Sequence, residues 1–122
     1  MVEEAYCTFE VAKLLKEKGF NCDVRQYYVF DHEFNIPEFV IDDREDNPHN
    51  WGTDYYSAPT QQMAMRWLRE VHSIFIELHH YNYPGAQFVW YIWGKNDYEP
   101  QRANTYEEAC EAAIKYCLGN LI

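Results

Sequence analysis

The segment "QFVWYIW", Gln87–Trp93, holds four aromatic and two aliphatic side chains and no charge. In an extended strand successive side chains point to opposite faces, so this strand is apolar on both. A fold that accepts it must give one face to the core and find cover or a use for the other. The preceding "SIFIELHHYN" also has strand character, rich in β-branched and aromatic residues. Pro84 and Gly85 lie between the two. An L-proline suits turns whose twist opposes that of a tight hairpin, which favours a loop of about three or five residues. Such a loop pairs His80 with Phe88, Leu78 with Trp90 and Ile76 with Ile92, and these form the core face together with Ile74. The second face then carries Phe75 beside Trp93, Glu77 beside Tyr91, His79 beside Val89, and Tyr81 beside Gln87. Phe75, Glu77, His79, Tyr81, Tyr91 and Trp93 are therefore the candidate interaction surface.

Three amphipathic segments flank the strands. Thr8 is a good N-cap for "FEVAKLLKEKGF", with Val11, Leu14 and Leu15 at helical spacing, Lys13 and Lys16 on the wet side, and Gly19 as the stop. "APTQQMAMRWLREVH" starts at Pro59 or Thr60 and buries Met63, Ala64, Trp67, Leu68 and Val71, with His72 in its last turn. "NTYEEACEAAIKYCLGNLI" opens on a Thr105/Glu108 capping box and buries Ala109, Cys110, Ala113, Ile114, Cys117 and Leu118 until Gly119 ends it. "VRQYYVFD" and "PEFVIDD" are a further strand pair turning around Asn35. Asp43 to Ser57 reads as a long loop, which Trp51 pins to the domain.

The predicted order is α-β-β-α-β-β-α, a single α+β domain over residues 1–122. Its four-stranded antiparallel sheet packs its helices mainly on one face and leaves the other to solvent. "KLLKE" and "RWLRE" each precede a hairpin, which is either an old duplication or a chance recurrence of an amphipathic pattern.

Charge narrows the partners. The chain carries 20 acids against 10 Lys and Arg, a formal net charge of −10. That balance disfavours direct nucleic-acid binding, which draws on cations displacing counterions. Asp31, Glu33, Glu38, Asp42, Asp43, Glu45 and Asp46 crowd one segment with Arg44 alone opposing them. This acidic patch is either a solvated hairpin and loop or a surface offered to a basic partner, as in a nucleic-acid mimic. No apolar run approaches the roughly 20 residues of a membrane span. The N-terminus has acids where a secretory signal has basic residues, so a cytoplasmic location is expected. The four cysteines then remain thiols, with Cys110 and Cys117 as core residues.

Catalytic signals are few. Scattered glycines form neither GxGxxG nor GxxxxGK, and GxSxG and HExxH are missing. The Asp43–Ser57 segment lacks calcium-loop spacing. His79 and His80 are adjacent in a strand and point apart, so they do not chelate one ion. Glu77 and His79 share a face and could form a carboxylate-oriented base, although no matched nucleophile accompanies them. No cofactor and no metal is called for. An open aromatic sheet superficially suits RNA bases, but "QFVWYIWGKN" lacks the basic and Gly-aromatic neighbours of that motif.

"YCTFEVAKLLKEKGF", "APTQQMAMRWLREVHSIFIEL" and "TYEEACEAAIKYCLGNLI" together resemble, in order and spacing, a family of small uncharacterised proteins from gut Bacteroidetes and their phages and mobile elements. The resemblance spans a little under half the residues. It carries no catalytic residue to transfer, and implies a small non-enzymatic accessory protein inside the bacterial cell. Three functional expectations follow. The first is a protein-interaction module using the aromatic face toward a partner, or toward itself as a homodimer. The second is an acidic mimic that blocks a DNA-binding protein, and the third a small enzyme or ligand binder using Glu77 and His79.

Overall fold

The computed structural model describes residues 4–81, 87–94 and 101–122. The Pro84–Gly85 turn lies outside them. Among the described residues the fold is α+β, with three α-helices and two three-stranded antiparallel sheets in place of the expected single four-stranded one. Each expected hairpin forms a sheet of its own and gains a short strand, Tyr55–Ser57 in one and Gln101–Ala103 in the other. The chain forms two compact units, Tyr6–Thr60, and Met1–Ala5 with Gln61–Ile122.

In the first unit α1 (Phe9–Glu17) begins where the Thr8 side chain accepts the Val11 amide at 3.3 Å, and buries Val11, Ala12 and Leu15. Strands β1 (Val24–Asp31), β2 (Ile36–Asp46) and β3 (Tyr55–Ser57) form a sheet in the order β2-β1-β3. The β1–β2 turn is tied by Asp31, whose carboxylate accepts from the Glu33 and Phe34 amides. Asn35 there takes a positive φ of 56°, as short polar side chains tolerate. Phe9 of α1 packs against Tyr28, Phe30 and Tyr56 on one face of the sheet. On the other face Trp51 lies against Tyr27 and Tyr55 and donates to Asp46 at 3.0 Å, the pinning role expected of it. Lys16 departs from expectation. Instead of a wet lysine, it donates to the Gly52 and Tyr55 carbonyls at 2.6 and 2.8 Å and anchors the segment leading into β3.

In the second unit α2 (Gln61–His72), β4 (Phe75–His80), β5 (Phe88–Trp93), β6 (Gln101–Ala103) and α3 (Tyr106–Asn120) follow in chain order, and the sheet runs β4-β5-β6. The α3 stripe is buried at all six expected positions, and Thr105 accepts the Glu108 amide at 3.1 Å. Three expectations are corrected. Met63 and Val71 are exposed, and Gln61 and Met65 take their place in the buried stripe of α2. Gly119 does not end α3, which runs on to Asn120. His80, assigned to the core face, is exposed because it lies at the end of its strand. Each unit sets a helix before a three-stranded sheet, but the first strand is central in one and the second in the other. The "KLLKE"/"RWLRE" echo therefore does not extend to topology.

Candidate interaction face on strands β4 and β5

The β4–β5 register is the one the sequence predicts: Phe75 faces Trp93, Glu77 faces Tyr91, and His79 faces Val89. The Tyr81 amide donates to the Gln87 carbonyl at 2.7 Å and closes the ladder. On one side of this hairpin Ile74, Trp90 and Ile92 are buried, and Trp90 and Phe88 meet Tyr116 and Tyr106 of α3. Alternation sends Phe75, Glu77, His79, Tyr81, Tyr91 and Trp93 to the other. Phe75 is 48% exposed and Trp93 55%. Both are large apolar side chains, and they stand side by side at the end of the sheet.

These side chains are organised by polar contacts. Glu77 sits at the centre, its carboxylate accepting from His79 Nε2 at 2.7 Å and from Trp93 Nε1 at 2.6 Å. The His79 bond, with that of Trp93, holds the Glu77 carboxyl below its ordinary range. The Tyr81 and Tyr91 hydroxyls meet at 3.2 Å. That contact, reinforced by burial and the charge of Glu77, raises Tyr91 above the usual phenol value. Rings two residues apart stand parallel like slats, Tyr91 with Trp93 at 6.5 Å and His79 with Tyr81 at 6.3 Å between centroids. The His79 ring also meets Tyr91 edge-on at 4.9 Å. Hydrogen bonds thus tie five of the six side chains, in two sets, and leave Phe75 outside them.

One residue of this face was not legible in the sequence. Arg102 of β6 pairs with Val89, and so shares the side of His79 and Tyr91. It is exposed, and it sets a cation on the face that already holds the Glu77 carboxylate. "QRA" has no hydrophobic alternation, so nothing announced a strand there.

The acidic patch is divided among local tasks. Asp31 ties the turn, Asp42 pairs with Arg44 at 3.3 Å, Glu45 lies 3.6 Å from Arg25, and Asp46 holds Trp51. Glu33 is exposed in the turn, and Glu38 and Asp43 are exposed along β2. The patch is mostly strand, since β2 runs to Asp46 where a loop from Asp43 was expected.

For catalysis, His79 has Glu77 as an orienting carboxylate, but no hydrogen bond joins it to a serine, threonine or cysteine among the described residues. Among those residues no group of three or more His, Cys, Asp or Glu side chains is placed to hold a metal ion. No helix among them is long and apolar enough to cross a membrane. All four cysteines are thiols, and burial pushes Cys110 up to about 11 and Cys117 up to about 12, where neither is a nucleophile at neutral pH. Comparison with family models, curated proteins and solved structures finds no match.

Proposed function

We propose that this chain is a non-enzymatic protein-interaction module whose binding surface is the β4–β5 face centred on Glu77. The observation that carries the reading is the pairing of exposure with order: Phe75 and Trp93 are exposed while Glu77 fixes Trp93 and His79 in place. Rigid aromatics beside a few fixed polar groups are what the energetic centres of protein interfaces are made of. The occupant is a protein partner or a second copy of the chain. The net charge of −10 argues against a phosphate backbone in that role. The four thiols suit the cytoplasm, and the resemblance to small phage and mobile-element proteins of gut Bacteroidetes suits an accessory role there.

The test compares wild type with a Phe75→Ser/Trp93→Ser double variant, by light scattering on purified protein and by affinity capture from bacterial cytosol. Wild type should form a dimer or retain a discrete partner, and the folded variant should lose it. Identical behaviour of the two folded proteins would remove the face from the account. The 2.7 Å Glu77–His79 contact keeps a second reading in view, a small enzyme or ligand binder. It requires turnover or small-molecule binding that His79→Ala abolishes. The acidic-mimic reading has less support, because Asp31, Asp42, Glu45 and Asp46 are engaged within the unit.

A further inference from the structure

The free edge of β2 is a second surface, independent of the β4–β5 face. β1 is central in its sheet, and β2 pairs with β1 alone among the described residues. The direction of its backbone groups follows from the other side of β1. Phe30 N–H donates to Asp54, and the Gln26 carbonyl accepts from Ala58, so Gln26, Tyr28 and Phe30 point toward β3. Alternation turns Tyr27, Val29 and Asp31 toward β2, where they meet Val40, Glu38 and Ile36. The intervening residues Pro37, Phe39 and Ile41 therefore direct their backbone groups outward. Pro37 fits this phase, since proline is tolerated in a strand only where no ladder N–H is needed.

The segment is also apolar at exposed positions, although the Phe39 ring rests against Tyr6 and Tyr28. Phe34, Ile36, Phe39 and Ile41 are all exposed, Ile41 to 65%. Long edges carrying apolar side chains are templates for another strand. Charge selects which strand. Glu38 and Asp43 form no ion pair among the described residues, and their neighbours Asp42, Glu45 and Asp46 are opposed within β2 by Arg44 alone. A second copy would bring two strands, each with five acids against Arg44 alone, side by side. We infer that β2 accepts an extended basic segment of another protein as an added strand, bonded at the Phe39 and Ile41 backbone, with its Lys or Arg side chains against Glu38 and Asp43.

The probe is a synthetic peptide of about ten residues alternating lysine with valine and threonine, with a glutamate-for-lysine peptide as control. On adding the basic peptide, the Phe39 and Ile41 amides should exchange with solvent at least about ten-fold more slowly, and the control should leave them unchanged. Ile41→Pro removes one outward N–H without touching the β1 ladder, and should weaken binding at least about ten-fold. Should that variant fail to fold, amide exchange on wild type decides alone. Equal binding of both peptides, or no slowing at Phe39 and Ile41 at millimolar basic peptide, would overturn the inference. So would protection of those amides in concentrated protein without peptide, which would make the edge a contact between copies.

Discussion

Gly94 follows the candidate face directly, at a φ of 94°. A Cβ built there would stand 2.0 Å from the Ser73 carbonyl oxygen, a backbone atom that has no rotamer in which to retreat. Gly94→Ala should therefore cost about 3 kcal/mol, combining left-handed strain with displaced backbone. Urea unfolding checks this, and a loss under 1 kcal/mol would mean that the β4–β5 ends are more loosely joined than the geometry implies. His49 gives a pH prediction. Its Nδ1 accepts the Ser57 amide at 3.0 Å, and burial, with the nearby Lys16 charge, lowers it to about 4. The folded value lies below the unfolded 6.5, so the unfolded chain binds the proton first as pH falls. Stability should be complete above pH 6.5 and decline as pH drops toward 4. The loss should be about 2 kcal/mol, smaller than the full shift would give because the ring is part-exposed to water. In His49→Asn, whose side-chain oxygen can still accept from Ser57, that decline should vanish from urea titrations across the same window. Neither residue was legible beforehand, since a glycine's neighbours and a histidine's acceptor are set by contacts distant in sequence.

At the scale of elements, what was legible had a strong local signal. α3 announced itself by a threonine cap and small residues at helical spacing, and all six buried positions followed. The β4–β5 register followed from alternation and an odd loop, and with it the grouping of the six candidate residues. β3 and β6 were missed because each is three residues long, held by pairing to a neighbour and not by its own pattern. Met63 and Val71 were misassigned because α2 turns a different arc inward, one that includes the polar Gln61, whose amide donates to the Glu107 carbonyl at 3.0 Å. Since Phe75 and Trp93 project from a ladder that does not depend on them, Phe75→Ser and Trp93→Ser should each cost within about 1 kcal/mol. Thermal unfolding measures this. A much larger loss would return these rings to the core.

At the scale of the whole molecule, an excess of ten negative charges coexists with two surfaces that carry exposed apolar side chains. Net charge of that size opposes contact between like copies and favours basic partners. Among the described residues the β4–β5 face differs from β2 in bearing one carboxylate, Glu77, and one guanidinium, Arg102, among its aromatics. The acidic balance was plain from composition, whereas the division of the acids among turn, ion pair and edge depended on β2 continuing to Asp46. The most direct measurement is photo-crosslinking in bacterial cytosol from a benzophenone side chain at position 93, with position 66 on the exposed side of α2 as control. A discrete crosslinked species from position 93, absent from position 66, is the predicted result. No crosslink from position 93, or the same pattern from both positions, would contradict the claim that this face is where the protein binds.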